Sequence, residues 1–281
     1  MATDELQLLV EGLVFPESPR WHQGRLWFSD MLAGRVMTVD AQGRLETIVG
    51  APGWLSGLGW LPDGRLLAVS MQDRRLLRLD PNGLVEAADL TGLTTFICND
   101  MVVDEAGRAY VGEVGFDVHG GAPFQPARLV LVEPDSRARV VDADLACPNG
   151  TIITPDGRTL IVGESLGNRL TAFDVAADGS LGAKRIWAAV EGLGPDGICL
   201  DAEGAIWVAS PMKNEVVRVL EGGRISHRLN VPSPMPLAVM LGGDDRRMLY
   251  ICRAPHPEVA LTGQYGRIDV LRVDVPGAGL P

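Results

Sequence analysis

Four polar residues occupy the same place relative to a repeated turn in this sequence. They are Glu17, Asn99, Asn149 and Asp196, and each precedes a turn glycine by seven or eight residues. Two carboxylates and two amides offer oxygen ligands without sulfur or imidazole, which suits a hard divalent cation. Any one Asn-Gly or Pro-Asp-Gly is typical of an ordinary turn, but four in register favour a common site. We expect one divalent metal ion, calcium first, with magnesium, manganese or zinc as alternatives.

Such a site is suited to hydrolysis. A divalent cation polarises a carbonyl group and stabilises the oxyanion that forms on it, and a neighbouring carboxylate can take a proton from water. Spacing alone does not decide whether Glu17 or Asp196 is that base. The four cysteines form no Cys-x-x-Cys pair, and we expect them to be reduced and buried.

The repeated turn also predicts the fold. Its glycines, spaced 40 to 50 residues apart, are Gly24, Gly64, Gly107, Gly157 and Gly204. Each repeat has room for four short alternating strands, and a degenerate sixth copy follows. Small sheets that cannot bury both faces alone pack radially, so we predict an all-β, six-bladed β-propeller. A β-sandwich is the weaker alternative, because it would not demand one motif six times.

The predicted ring brings distant residues together. The segments that lead into the innermost strands converge at one mouth of the central channel, where the four polar residues would meet. We expect residues 1–281 to form a single domain, in which the strand at residues 6–10 closes the last blade. Residues 115–127 interrupt the third repeat, either as a functional loop over the mouth or as a plain surface insertion.

Charge and hydropathy exclude several classes of partner. The chain has 281 residues and a net charge of −11, which disfavours nucleic-acid binding. No run approaches the roughly 20 apolar residues that a membrane-spanning helix needs. The acidic N-terminus does not resemble a signal peptide, so we expect a cytoplasmic protein whose partner is a small molecule. The sequence leaves the oligomeric state open.

With these motifs in place, the chain resembles the senescence marker protein, gluconolactonase and regucalcin family. The matching segments, in family order, are Pro16-Glu17-Ser18-Pro19-Arg20-Trp21, Asn99-Asp100, Pro148-Asn149-Gly150 and Pro195-Asp196-Gly197. The resemblance implies a divalent metal held by Glu17, Asn149 and Asp196. It also implies that Asn99 contacts substrate or bound water beside the metal. The implied activity is lactone hydrolysis, with Asp196 as the base and the metal polarising the carbonyl.

One departure from the family bears on the substrate. Animal gluconolactonase-type members carry an arginine two residues before the Asn-Asp pair, and Ile97 stands there in this chain. With Phe96 and Trp54 nearby, Ile97 predicts a less polar lactone or ester as substrate. His119 and His256 lie in long loops and are further candidates to line the pocket. Two alternatives remain open, namely a promiscuous ester or phosphotriester hydrolase on the same metal and a non-catalytic calcium-binding propeller.

Overall fold

The computed structural model describes residues 6–118 and 120–279. These residues form six four-stranded antiparallel sheets arranged as the blades of a ring. The six-bladed β-propeller predicted from the repeated turns is therefore confirmed. A 3₁₀ turn at Met31–Ala33 and the short helix α1 (Pro257–Ala260) lie in loops between strands.

Strand bounds follow the repeats closely. The first strand of the chain is β1 (Gln7–Leu13). Blade 1 contains β2 (Pro16–His22), β3 (Arg25–Asp30), β4 (Arg35–Val39) and β5 (Leu45–Gly50), and blade 2 contains β6 (Leu55–Trp60), β7 (Leu66–Ser70), β8 (Arg75–Asp80) and β9 (Gly83–Asp89). Blade 3 contains β10 (Cys98–Val103), β11 (Ala109–Glu113), β12 (Ala127–Val132) and β13 (Ala138–Leu145), and blade 4 contains β14 (Pro148–Ile153), β15 (Thr159–Glu164), β16 (Arg169–Val175) and β17 (Leu181–Ala189). Blade 5 contains β18 (Ile198–Leu200), β19 (Ile206–Ser210), β20 (Glu215–Val219) and β21 (Ile225–Asn230), and blade 6 contains β22 (Met235–Gly242), β23 (Met248–Ala254) and β24 (Gly266–Arg272).

Both ends of the chain contribute to blade 6. Strand β1 is its outer strand and pairs antiparallel with β24, with Gln7 opposite Val270 and Leu13 opposite Gly266. The predicted closure of the ring by the N-terminal strand is confirmed. The hydrogen bonds of this pairing join the start of the chain to its end, so the ring holds without a covalent link.

Apolar side chains fill the space between neighbouring blades. The largest hydrophobic cluster joins Phe28 of β3, Trp207 of β19 and Tyr250 of β23, all of which are almost completely buried. Blades 5, 6 and 1 are thus packed into one core. Because each blade presents one such face to either neighbour, the ring fixes the positions of the innermost strands β2, β6, β10, β14, β18 and β22 around the channel.

The repeated turn has a structural explanation. In blade 3, Asp104 Oδ1 accepts hydrogen bonds from the main-chain amides of Ala106 at 3.0 Å and Arg108 at 2.9 Å. Its Oδ2 accepts one from Arg108 Nε at 2.6 Å. The aspartate and arginine of the motif therefore hold the hairpin closed. This turn follows the end of β10, whereas Asn99 lies near the start of that strand, so turn and candidate site are at opposite ends of the blade.

Cys98, Cys147, Cys199 and Cys252 are free and buried, as expected. Within residues 6–118 and 120–279, no helix has the length and apolar character needed to cross a bilayer. The cytoplasmic location and the assignment of residues 1–281 to one domain stay predictions.

Candidate active site

A β-bulge recurs near the start of the innermost strands. The pairing register shifts between Glu17 and Arg20 in blade 1, and equivalent shifts occur in blades 2, 3, 4 and 6. A bulge bends its strand and re-aims the side chains beside it. The residues immediately before the bulge, or at the matching register position, form a ring of six, one from each blade, in which Asp196 stands two residues before β18: Glu17, Ser56, Asn99, Asn149, Asp196 and Pro236. We call this end of the channel the mouth.

Two carboxylates from different blades influence each other at the mouth. Glu17 is buried, and desolvation together with the charge of Asp196 raises its pKa well above the ordinary value. Desolvation and the charge of Asp100 raise the pKa of Asp196 to about 8. Their carboxylates repel because few water molecules screen them. The structure therefore brings Glu17 and Asp196, two of the four residues in register, within electrostatic range of each other.

The two asparagines at the mouth are held by hydrogen bonds. The side chain of Asn149 bonds to Asp196, and its Nδ2 also donates to Ser165 Oγ at 3.4 Å. Ser165 in turn donates to the main-chain carbonyl of Pro195 at 2.8 Å. Asn99 Nδ2 donates to the carbonyl of Pro148 at 3.4 Å. These bonds link blades 3, 4 and 5 directly around the site.

Sequence reasoning missed a buried ion pair next to these residues. Arg20 Nη2 donates to Asp100 Oδ1 at 2.8 Å, and both side chains are almost fully buried. Both residues lie in the motifs that carried the family resemblance, but neither was assigned a role. Charged residues inside otherwise apolar inner strands were the signal that could have identified them, since buried charges need partners.

A second set of buried polar residues supports the loops at the mouth. Glu113, at the end of β11, accepts hydrogen bonds from the main-chain amides of Thr95, Phe96 and Arg128 at 2.6 to 3.0 Å. Glu164 ends β15 in the equivalent way, and it bonds to Arg169. These carboxylates are occupied by the protein itself, so they position the loops and are not candidates for chemistry.

Apolar residues surround the polar ring. A cluster of buried side chains, which we call the mouth cluster, comprises Phe15, Met31, Met71, Leu237, Ala254 and Ala260. The predicted substrate-binding residues Trp54 and Ile97 are partly buried against it. Phe96 is partly buried too. His256 is exposed and immediately precedes α1, whereas His119 lies outside the described residues. The substrate-binding roles of all these residues stay predictions.

The donor set at the mouth fits a divalent cation. Glu17 and Asp196 supply two carboxylates whose repulsion a cation would relieve, and Asn149 supplies an amide. Among the described residues, no group of three or more histidine, cysteine, aspartate or glutamate side chains is arranged to hold a metal. A cation at the mouth would thus depend on the amide as well as on the two carboxylates.

This combination of fold and site defines a propeller with an oxygen-lined mouth. Residues 15–254 match the SMP-30/gluconolactonase/LRE-like region, and the chain belongs to that family. It is 27% identical over 282 residues to a 6-deoxy-6-sulfogluconolactonase of Pseudomonas putida, covering 95% of this chain and 94% of that protein. It is 29% identical over 245 residues to a pentonolactonase of Haloferax volcanii, covering 85% and 81%.

Solved structures agree on the fold. A calcium-binding protein described as regucalcin, from Agrobacterium tumefaciens, superposes with a TM-score of 0.82 at 24% identity and covers 99% of this chain and 96% of its own. The match over residues 15–254 confirms the predicted family, and this superposition agrees with the predicted fold. At that level of identity the superposition bears on the fold alone.

Proposed function

We propose that the protein is a metal-dependent hydrolase that opens lactone rings. The observation that carries this proposal is the pair of carboxylates, Glu17 and Asp196, that repel each other at the mouth while Asn149 bonds to one of them. The two relatives named as sugar lactonases support the reaction class. Both relatives match most of the chain.

Glu17, Asn149 and Asp196 would hold the metal, for which calcium is the first candidate. When bound, it would supply Lewis-acid polarisation of the lactone carbonyl and stabilise the developing negative charge. Buried carboxylates that repel each other are stabilised by a neutralising cation, which is the physical reason for choosing this set. The desolvated site strengthens that attraction relative to water.

Asp196 is the proposed general base. A cation held beside it would keep this carboxylate ionised despite the desolvation that favours its protonated form, so that it can accept a proton from water. It takes a proton from water while the water oxygen bonds to the carbonyl carbon. The bond from that carbon to the ring oxygen then breaks, and the ring oxygen receives the proton, which yields a hydroxy acid.

Asn99 is proposed to orient the reactants. Its Nδ2 group donates to the Pro148 carbonyl, so its Oδ1 oxygen is the group available to accept a hydrogen bond from water or substrate. The oxygen comes from a rigid inner strand of blade 3, which keeps its direction fixed.

The apolar surroundings favour a lactone that carries few hydroxyl groups. Ile97 and Trp54 are partly exposed at the edge of the mouth cluster, where the Ile97 side chain offers no hydrogen bond and Trp54 offers only its indole N–H. A sugar lactone would lose water from its hydroxyls there with few new partners, at a cost that an alkyl-substituted ring avoids. Carboxylic esters are the second candidate substrates, because they need the same carbonyl activation.

The test is turnover of a panel from gluconolactone to alkyl-substituted γ- and δ-lactones, followed by pH-stat with and without a chelator. We expect chelator-sensitive turnover that falls about a hundredfold or more in Asp196→Asn. Asp156→Asn is the matched control, because Asp156 is an exposed turn carboxylate at the other end of blade 4. No turnover of lactones or esters, despite one bound metal per chain, would contradict the proposal and favour a calcium-binding role.

A further inference from the structure

The ion pair between Arg20 and Asp100 crosses the central channel. Arg20 lies on β2 in blade 1 and Asp100 on β10 in blade 3, and the innermost strand of blade 2 lies between them. A contact that skips one blade has to span the channel interior. Their side chains are only 5% and 7% exposed, so this pair lies in the protein interior.

The pair is held in one geometry. Arg20 Nη2 also donates to the Met101 carbonyl at 2.6 Å, and Nη1 donates to the Pro19 carbonyl at 2.9 Å. Asp100 Oδ1 accepts the Met101 amide at 2.9 Å in addition to the guanidinium. Arginine stays protonated in proteins. A permanent positive charge is therefore fixed beside Asp100, and it also acts on Glu17.

The charges can be counted. Glu17, Asp196 and Asp100 bring three negative charges when ionised, and Asp100 acts electrostatically on the other two. Arg20 cancels one of the three, which leaves two. Those two match the charge of a divalent cation, and an unpaired third carboxylate would instead suit a trivalent one.

We propose that the Arg20–Asp100 pair determines the charge of the cation that the mouth accepts. This inference rests on the metal site of the proposed function. Arg20 neutralises Asp100 and keeps it from serving as a third carboxylate ligand, so the site binds divalent ions in preference to trivalent ones. Neither residue contacts substrate in this scheme, and both act on the cation through the electric field.

The experiment measures the affinities of Ca²⁺ and Tb³⁺ by calorimetric titration of the chelated, desalted protein. Arg20→Gln leaves the site one charge more negative, and we expect the ratio of Tb³⁺ to Ca²⁺ affinity to rise about tenfold or more. Asp100→Asn makes the site one charge more positive, and Ca²⁺ affinity is expected to fall about tenfold or more. The double variant restores the charge and should bind Ca²⁺ within about threefold of the wild type.

Arg218→Gln is the matched control. Arg218 forms another buried ion pair, with Asp201 at 2.6 Å, at the opposite end of blade 5. It should leave the ion preference unchanged, which separates the charge effect from the general loss of a buried arginine. Thermal unfolding confirms that each variant is folded. If Arg20→Gln does not fold, the expected fall in Ca²⁺ affinity in Asp100→Asn still tests the inference.

The outcomes are distinguishable. Opposite shifts in the two single variants, with recovery in the double variant, support the inference. If every variant loses affinity for Ca²⁺ and Tb³⁺ equally, or if the ion preference is unchanged, the inference is overturned. Neither result contradicts the metal site itself. A wild-type protein that binds neither ion overturns the metal site itself and this inference with it.

Discussion

The main-chain amide of Gly150 donates a 3.2 Å hydrogen bond to the main-chain carbonyl of Asp196, which joins blades 4 and 5 at the mouth. A methyl group on Gly150 would lie 2.6 Å from that oxygen and 2.5 Å from the amide nitrogen of Ile198. Only glycine permits this approach, because both atoms belong to the main chain and cannot rotate away. The position of the proposed base therefore depends on a neighbouring blade.

Gly150→Ala tests that dependence. The added methyl group has to push the two inner strands apart, so we expect a loss of stability of about 1–3 kcal/mol. Metal affinity and turnover should fall further than stability, because Asn149 and Asp196 move relative to each other. Denaturant unfolding and calcium titration measure the two effects separately.

Gly163→Ala is its matched control. Gly163 lies on the neighbouring strand β15, but a methyl group there meets its nearest atoms at 3.5 Å, which is ordinary contact. Its stability should change little. Equal effects of the two substitutions would show that the close approach at Gly150 has no special importance.

The metal-free protein should lose stability as the pH rises from about 4 to about 8. A carboxyl whose pKa is raised on folding holds its proton in the folded state after the unfolded chain has released it. For Asp196 this window runs from its ordinary pKa of about 4 to its folded pKa of about 8, and Glu17 shifts in the same direction. Urea unfolding of chelated protein across this range measures the slope.

Calcium should reverse that trend by binding the ionised carboxylates. Asp196→Asn should show a shallower slope without metal, whereas Asp156→Asn should keep the wild-type slope. The pKa of Asp156 is lowered by its hydrogen bonds, so it does not titrate in this window. If the stability of the metal-free wild type does not change with pH over this range, the two carboxylates do not destabilise the fold when they ionise.

Ile97→Arg should change the substrate preference. The position is partly exposed at the edge of the mouth cluster, so an arginine can extend its charged end into the mouth. We expect kcat/KM to rise about tenfold for a polyhydroxylated lactone, through new hydrogen bonds, and to fall for an alkyl lactone. Initial rates with both substrates measure the preference.

Val85→Arg serves as the control for that substitution. Val85 is exposed on β9, the outermost strand of blade 2, so the substitution adds a similar charge away from the inner strands and the mouth cluster. An equal change in preference from both variants would mean that charge alone, and not its position at Ile97, determines the effect.

The cysteines should be dispensable for catalysis. Burial raises the pKa of Cys147, two residues before Asn149, to about 12, so its thiol stays protonated at neutral pH. Cys147→Ser should retain turnover within about threefold of the wild type. A thiol reagent should label the folded protein slowly at pH 8 and all four cysteines in denaturant. Rapid labelling at Cys147, coupled to inactivation, would contradict this.

Much of the fold and part of the site could be predicted from the sequence because their signals are local. A glycine turn recurs in five blades and in degenerate form in the sixth, and its hydrogen bonds form within a few residues, as at Asp104 and Arg108. Glu17 and Asp196 precede the turn glycine by seven and eight residues, so their shared position around the ring was predicted from these offsets. Alternating apolar residues likewise predicted the strands and the closure by β1.

Tertiary structure decided which side chains meet and what holds them. The bulge that orients the inner-strand side chains is a shift in the pairing of two strands, so the sequence of one strand does not reveal it. Ser56 and Pro236 complete the ring without any shared motif, and Arg20 contacts Asp100 across a blade that separates them. The offsets within each blade are set by short-range hydrogen bonds and are visible in the sequence. Contacts across the channel arise only when six packed blades fix the distance between residues far apart in the chain.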